Sequence, residues 1–434
     1  MLRSMYSAIS SLGLHQTYMD VVANNLANVN TTAYKASRVD FKIQISQFHN
    51  PGNAPSTTAT PPTGGRNPIQ AGMGTQLGGI VKIMTQGTLR ATGRPTDIAI
   101  QDDGFFIVGE NVETGAFTRD GAFDVGQDRM MTHMNTGLHV LGWDQGDVDP
   151  DTGLIDTTGA VGPIAIPVDT TLARATANVT LAGNLDAATL STSVPNYVDT
   201  TMAVYDSQGN QHNVTLRLTK TATANQWTAA VTGTYANPPF ASAPTLSATT
   251  LIFDVSGQLS TAGSTTGTLT IDLVNGAGVN QPPTDPGTIT IDFSELTQLG
   301  QTSTVSQVTQ DGLAPGTLSS LDIVSETGRV FGLYSNSLRQ ELGQIALATF
   351  INPAGLISAG QNLYRAWINS GDPNVGLPGT GTRGTVVSGH LEGSNVDLAQ
   401  EFTNMITAQR GFQANSRVIT ASDEMLQELM SMKR

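Results

Sequence analysis

The two ends of this 434-residue chain carry matching seven-residue repeats, which constrain its fold more than any other feature. Near the C-terminus, apolar residues recur every seven positions from Leu398 to Leu426, with further positions between them. The steps alternate between four and three residues, as in a coiled-coil seam. Ser394 and Asp397 precede this stretch at a capping-box spacing, which predicts a helix start. The first thirty residues repeat the same steps, so we predict one amphipathic helix at each end.

The predicted seam for self-assembly consists of one set of positions on each helix. The N-terminal set is Met5, Ile9, Leu12, Gln16, Met19, Ala23 and Leu26. The C-terminal set is Leu398, Phe402, Met405, Gln409, Phe412, Ser416, Ile419, Asp423, Leu426 and Met430. Polar residues inside a seam cost stability but specify register or partner. A long surface helix packed on its own core would explain either end alone. Two matching seams instead indicate helices that pair as a coiled coil and bury their remaining apolar faces in neighbouring chains.

The composition excludes several classes of function. The net charge is -14, whereas nucleic-acid binding needs clustered Lys and Arg, so no nucleic-acid partner is predicted. The chain has no Cys and therefore no disulfide framework or thiolate chemistry. Its start lacks the apolar core of a signal peptide, and no apolar run is long enough for a membrane-spanning helix. We therefore predict no membrane insertion and no cleaved signal peptide.

Between the two helices, short alternating runs are separated by turn residues such as Asp103-Gly104 and Asp120-Gly121, which is typical of β structure. The predicted fold is a mainly β multidomain protein with α-helical N- and C-terminal segments and a nested domain insertion. The predicted parts are a helical assembly domain (1–35 and 390–434), connecting regions (36–68 and 365–389), a β-rich domain (69–145 and 303–364) and an inserted outer β-rich domain (146–302).

Several short motifs are candidates for chemical sites. Gly72-Met73-Gly74 lacks the spacing and the helix of a phosphate loop, which favours a turn. Asp147, Asp149 and Asp151 resemble the start of a calcium loop, but the sixth position is Thr152 instead of Gly, so a solvated acidic loop is the alternative. His133 and His139 could share one face of a hairpin, yet the sequence supplies no completing metal ligand.

No set of nucleophile and base stands out, so we predict no catalytic residue, no metal site and no cofactor. Asn178-Val179-Thr180 and Asn213-Val214-Thr215 match the glycosylation pattern, which chance produces easily in a chain rich in Asn and Thr. The remaining alternative from another class is a secreted β-rich binding module with helical ends.

The stretches VVANNLANVNTTAYKA (21–36) and SNVDLAQEFTNMITAQRGFQANSRVITASDEML (394–426) resemble the paired terminal signatures of bacterial flagellar axial proteins. That family contains the rod, hook and hook-associated subunits. The segment TGRPTDIAIQDDGFFIV (92–108) resembles one that rod and hook proteins share. The blocks VYDSQGNQHNVTLRL (204–218) and GQIALATFINPAGL (343–356) are most similar to the hook members of the family.

This resemblance implies a structural subunit that self-assembles into the tubular hook, the flexible joint that transmits motor torque to the filament. It implies a homopolymer whose partners are the rod, the hook-associated junction proteins, the hook cap and the flagellar export apparatus. It also implies an extracellular location, reached through the flagellar type III channel without a cleaved signal peptide. A distal rod subunit or a hook–filament junction protein is the nearest alternative, and the block at 146–302 favours the hook.

Overall fold

A computed structural model describes residues 2–55, 61, 64–144, 155–233, 244–247, 250–260, 265–270 and 288–432. Within these ranges the chain is mainly β, with one helix at each end, as predicted. The helices are α1 (Leu2–Ala27) and α2 (Leu398–Ser431). The chain divides into two compact units. Unit 1 comprises Met1–Ile166, Asp322–Phe331 and Glu341–Arg434, and unit 2 comprises Pro167–Leu321 and Gly332–Gln340.

The strands up to residue 166 are β1 (Ser37–Ile43), β2 (Ser46–Asn50), β3 (Ile69–Gly72), β4 (Thr75–Lys82), β5 (Leu89–Ala91), β6 (Ile98–Gln101), β7 (Phe105–Val108), β8 (Ala116–Thr118), β9 (Phe123–Val125), β10 (Met131–His133), β11 (Leu141–Asp144) and β12 (Gly162–Pro163). The next are β13 (Thr171–Arg174), β14 (Asn178–Asp186), β15 (Tyr197–Tyr205), β16 (Gln211–Lys220), β17 (Gln226–Thr232), β18 (Thr245–Leu246), β19 (Thr250–Ile252), β20 (Thr266–Thr270), β21 (Thr288–Leu299), β22 (Ser306–Gln310) and β23 (Leu313–Ile323). The last are β24 (Arg329–Tyr334), β25 (Arg339–Ile345), β26 (Leu347–Thr349), β27 (Ile357–Gly360), β28 (Leu363–Arg365), β29 (Asn374–Gly376), β30 (Thr385–Ser388) and β31 (His390–Glu392).

The β part of unit 1 is centred on the sheet β27-β28-β8-β7-β26-β29. Two strands from the first half of the chain, β8 and β7, lie between strands from the second half, because β7 pairs with β26 and β8 pairs with β28. The rings of Phe105, Phe117 and Phe350 meet edge-on in its core. β29 and β30 lie within the predicted connecting region 365–389, yet they pair with β26 and β6. The predicted domain boundaries stay a prediction.

Unit 2 contains two sheets that share one apolar core. Their strand orders are β18-β20-β21-β14-β22 and β15-β16-β17-β19. Along β16 the side chains alternate regularly between buried and more exposed positions, which is the pattern of a strand with one face on a core. Trp227, Met202 and Phe293 are among the buried side chains that fill the space between the sheets. The unit is therefore a β-sandwich.

The turn between β15 and β16, at residues 206–210, closes an antiparallel hairpin. Gly209 has φ +81°, which favours glycine, and Asp206 accepts the backbone N–H of Asn210 at 2.7 Å. His212 Nε2 lies 3.0 Å from Asp206 Oδ2. Burial alone would raise the pKa of Asp206, but the hydrogen bonds from His212 and Asn210 outweigh it and lower that pKa below its ordinary value of 3.8.

This lowered pKa predicts a loss of stability in acid. A carboxylate whose folded pKa is depressed contributes stability above its unfolded pKa and loses it as pH falls through the folded pKa. We expect the free energy of unfolding of unit 2 to fall as the pH drops below the ordinary Asp206 pKa of 3.8, and Asp206→Asn to flatten that decline. Urea unfolding at a series of pH values measures it, with the exposed Glu295→Gln as control. An unchanged acid profile in Asp206→Asn would contradict the assignment.

Candidate assembly surface and helix junction

The two terminal helices pack against each other through small side chains. Ala8, Ala408 and Ser422 are buried. Asn415 donates from Nδ2 to the Ser11 hydroxyl at 2.8 Å. One turn before Asn415 on α2, Gly411 lies against His15, and a Cβ at Gly411 would lie 2.5 Å from the imidazole Cε1 of His15. Because residue numbers rise on α1 as they fall on α2, the helices run antiparallel.

This meeting face differs from the predicted seam. None of the seventeen predicted residues is buried within the chain. The exposed members are Ile9, Gln16, Ala23, Leu398, Phe402, Gln409, Asp423 and Met430. The half-buried members are Met5, Leu12, Met19, Leu26, Met405, Phe412, Ser416, Ile419 and Leu426. The seam therefore stays a prediction about contacts between chains. The small residues that do meet were missed, although their own spacing of three and four on α2 is a signal that could have found them.

The start of α2 also differs in detail from the predicted capping box. Asp397 is the N-cap residue, and its carboxylate accepts the backbone N–H groups of Ala399 at 2.8 Å and Gln400 at 3.2 Å. Ser394 lies outside the helix and its hydroxyl accepts the N–H of Val396 at 3.3 Å. The predicted position of the helix start is thus correct within a turn, whereas the capping residue is Asp397 alone.

Two β-ribbons beside α1 expose an unusual amount of apolar surface. β1 pairs with β4, and β2 pairs with β3. Ile43 is 80% exposed and Ile45 is 79% exposed, and the large side chains of Phe48 and Ile69 are also exposed. Contiguous apolar surface of this kind marks interaction sites on soluble proteins. These ribbons therefore extend the candidate assembly surface beyond the helices.

A groove of about 500 Å³ lies between the first turns of α1 and these ribbons. It is lined by Arg3, Tyr6, Ile9, Ser10, Gln44, Ile45 and Met73. Gly74 lies in the ribbon wall of the groove: its carbonyl accepts the Gln44 N–H at 2.9 Å, and its φ is +123°. A Cβ at Gly74 would lie 2.7 Å from the Ser10 hydroxyl, so only glycine fits this close approach.

A network of asparagines joins the end of α1 to the β part of unit 1. Asn25 is buried, accepts the Ser37 N–H at 2.9 Å and donates to the Ser37 carbonyl at 2.8 Å. Asn395, just before α2, accepts the Ala36 N–H at 2.8 Å and donates to the Ile83 carbonyl at 2.8 Å. Asn25 and Asn395 therefore fix the direction in which the chain leaves α1.

At the centre of this junction lies a buried group of charges. Lys35 is 1% exposed, Arg119 is 3% exposed, and both contact the fully buried Glu392. Lys35 Nζ donates to Glu392 Oε1 at 2.6 Å and to the Thr85 carbonyl at 2.8 Å. Arg119 Nη1 donates to Glu392 Oε2 at 3.4 Å, and the Gly87 N–H donates to Oε1 at 2.8 Å. We call Lys35, Arg119 and Glu392 the charged junction.

Burial shapes the electrostatics of the charged junction. It lowers the pKa of Lys35, and the carboxylate of Glu392 opposes this shift. It likewise lowers the pKa of Arg119. Burial, with the nearby Tyr34 and Glu392, raises the pKa of Tyr364 to about 12. Glu392 is therefore the largest compensating charge for each cation, and Asp103 adds to it at Arg119.

The residues that were candidates for chemical sites do not form a catalytic or metal site in the described part of the chain. His133 is buried, with Nδ1 2.8 Å from the Thr136 hydroxyl, whereas His139 pairs with Asp128 at 2.7 Å. Asp147, Asp149 and Asp151 lie outside the described residues. In the described part of the chain, no group of three or more His, Asp and Glu side chains is placed to hold a metal ion. Neither described helix is long and apolar enough to cross a membrane.

Comparison with known proteins places this arrangement among flagellar proteins. Three family models match: Flagella basal body rod protein (residues 5–35), Flagellar basal body protein FlaE D2 domain (173–313) and Flagellar basal body rod FlgEFG protein C-terminal (387–432). The chain is 37% identical to the flagellar hook protein FlgE of Borreliella burgdorferi over 456 residues, covering 100% of both chains. It is 30% identical to the flagellar basal-body rod protein FlgG of Bacillus subtilis over 438 residues, again covering 100% of both. The solved Helicobacter pylori hook protein FlgE2 covers 70% of this chain and 100% of its own at 14% identity and TM-score 0.35, too low to support a conclusion.

Proposed function

The chain belongs to the flagellar hook protein family, and on this premise we propose that it polymerises through its terminal helices and exposed β-ribbons into the wall of the tubular hook. It is a structural subunit of the flagellar hook and not an enzyme. The match of the FlaE D2 model to residues 173–313 and the higher identity to the hook protein favour the hook over the rod.

One observation supports the proposal: all seventeen predicted seam residues are exposed or half-buried within the chain, and the neighbouring ribbons expose large apolar side chains. Phe402 on α2 is 51% exposed, and Ile9 on α1 and Ile45 beside it are also exposed. These side chains gain the transfer free energy of burial, about 25 cal/mol per Å², only when a second chain covers them. Contacts between different patches on successive copies do not close into a dimer and build a helical polymer.

We further propose a role for the terminal helices and for the inserted β-rich domain. The antiparallel helices form a coiled coil in the polymer, and the predicted seam residues contact neighbouring copies. The inserted β-rich domain, residues 146–302, lies outermost in the polymer, and the low share of charged residues in the chain, 13%, allows neighbouring copies to slide while the hook bends and transmits torque. The rod, the hook-associated junction proteins, the hook cap and the export apparatus are the proposed partners, and the hook lies outside the cell after type III export.

Polymerisation of the purified full-length chain tests this function. We expect tubes in negative-stain electron microscopy above a critical concentration, and a single small species below it in ultracentrifugation. The variant Gly74→Ala strains the positive φ of Gly74 at the groove between the ribbons and α1, and should raise the critical concentration. A wild-type chain that remains monomeric at every concentration and salt condition would contradict the proposal.

A further inference from the structure

The last turns of α2 extend beyond α1. Ser422 is the last residue of α2 that is buried. From there to Met432 only Leu426 is even half-buried, and the other side chains are exposed. This overhang of about ten residues is roughly 15 Å long at the rise of an α-helix. An amphipathic end of this kind has no partner within its own chain among the described residues.

One face of the overhang is apolar at helical spacing. Met425, Leu429 and Met432 follow one another at steps of four and three, and all three are exposed, Met432 to 81%. Anchors at i, i+4 and i+7 are the pattern by which a helix binds in an apolar groove. The flexible thioethers of methionine adapt readily to such a surface. The overhang therefore has the form of a ligand for a groove.

The groove between α1 and the ribbons has the matching properties. Its volume of about 500 Å³ is lined mainly by apolar side chains, including those of Tyr6, Ile45 and Met73. Arg3 is also among its lining residues. Between residues 423 and 432 the overhang carries three acidic residues, Asp423, Glu424 and Glu428, and no basic one, while Lys433 and Arg434 follow them in the sequence. A cation beside the groove and carboxylates flanking the anchors provide complementary charge.

We infer that the overhang of α2 from one copy binds in the groove of a second copy, with Met425, Leu429 and Met432 as its anchors. This inference rests on the proposed polymerisation and specifies one of its contacts. The contact is heterologous, since the groove and the overhang are different surfaces, so each copy can accept one neighbour and donate to another. Repetition of this contact extends a polymer.

Cysteine cross-linking tests the contact without background, because the chain has no Cys. The variant Ile45→Cys with Leu429→Cys is polymerised, oxidised and run on a denaturing gel. We expect a ladder of linked chains. The matched control pairs Ile45→Cys with Gln427→Cys, which lies on another face of the same overhang, and should give about tenfold less ladder. The two single variants correct for links between identical positions.

Each outcome decides between occupants of the groove. Equal ladders from both pairs, or tubes without any ladder, would overturn the inference while leaving polymerisation intact. A linked product that migrates as a compact monomer would show that the overhang folds back onto its own chain. Absence of tubes from the wild-type chain would overturn polymerisation and this contact together. As a second measurement, Leu429→Asp should raise the critical concentration about tenfold, whereas Gln427→Asp should not.

Discussion

Replacing Glu392 with alanine is expected to lower the free energy of unfolding of unit 1 by about 3–5 kcal/mol. The substitution leaves Lys35 and Arg119 buried without their shared carboxylate and deprives the Gly87 N–H of its acceptor. Uncompensated buried cations are costly because burial removes their hydration. Urea unfolding measures the total loss, and hydrogen exchange should confine it to unit 1, with protection in β16 of unit 2 unchanged.

An exposed ion pair in the same unit supplies the control for Glu392→Ala. Arg38 Nε lies 3.0 Å from Asp40 Oδ1, with both side chains largely in water. Asp40→Ala should cost less than about 1 kcal/mol. A double-mutant cycle of Lys35→Met and Glu392→Gln then isolates the coupling between the two buried partners. If Glu392→Ala cost no more than Asp40→Ala, water would have to reach the charged junction in solution.

Replacing Phe402 with aspartate is expected to abolish polymerisation while hardly changing the monomer. Half of this side chain is exposed in the single chain, so a carboxylate there remains hydrated. In the proposed polymer the same position is desolvated. An unpaired carboxylate there would make the free energy of polymerisation less favourable by roughly 3–5 kcal/mol, as for other buried charges that lack a partner. Electron microscopy reports the loss of tubes. Thermal unfolding of dilute protein should show that the free energy of unfolding changes by only about 0.5 kcal/mol.

Thr403→Asp is the matched control for Phe402→Asp. Thr403 is exposed on α2, is not one of the predicted seam residues, and points about 100° around the helix from Phe402. It introduces the same charge on the same helix, so it should leave polymerisation nearly unchanged. Normal tubes from Phe402→Asp would remove this part of the seam from the assembly surface. A much less stable Phe402→Asp monomer would instead show that Phe402 supports the fold of the chain itself.

Local patterns in the sequence predicted local structure well. The periods of the terminal repeats predicted both helices, and the alternating runs separated by turn residues such as Asp103-Gly104 predicted the β structure between them. These elements depend on residues close together in the chain, whose spacing and turn chemistry are visible in the sequence. The antiparallel contact between the helices was harder to predict. Apolar residues dominate a seam search, whereas the actual contact uses Ala8, Gly411 and Asn415, which allow close approach.

The charged junction could not be predicted from the sequence. Lys35, Arg119 and Glu392 belong to distant segments, and each would ordinarily be assigned to the surface, because isolated charged residues are mostly exposed. Tertiary contacts such as the pairing of β31 with β5, the pairing of β28 with β8 and the hydrogen bonds of Asn395 bring these segments together. Burial of a charge is a property of the tertiary arrangement, and no local spacing encodes it.

The charged junction also has a consequence for the timing of folding. Lys35 and Glu392 are 357 positions apart, so a ribosome that adds about 5–20 residues per second needs roughly 20–70 s to supply the partner of Lys35. During that interval Lys35 has no carboxylate partner, so its burial is unfavourable and the segment after α1 remains exposed to water. Closing so long a loop is also slow compared with forming a local hairpin. The first-made helix therefore acquires its fixed connection to the β strands only when the last tenth of the chain has been synthesised, and a prematurely terminated chain never acquires it.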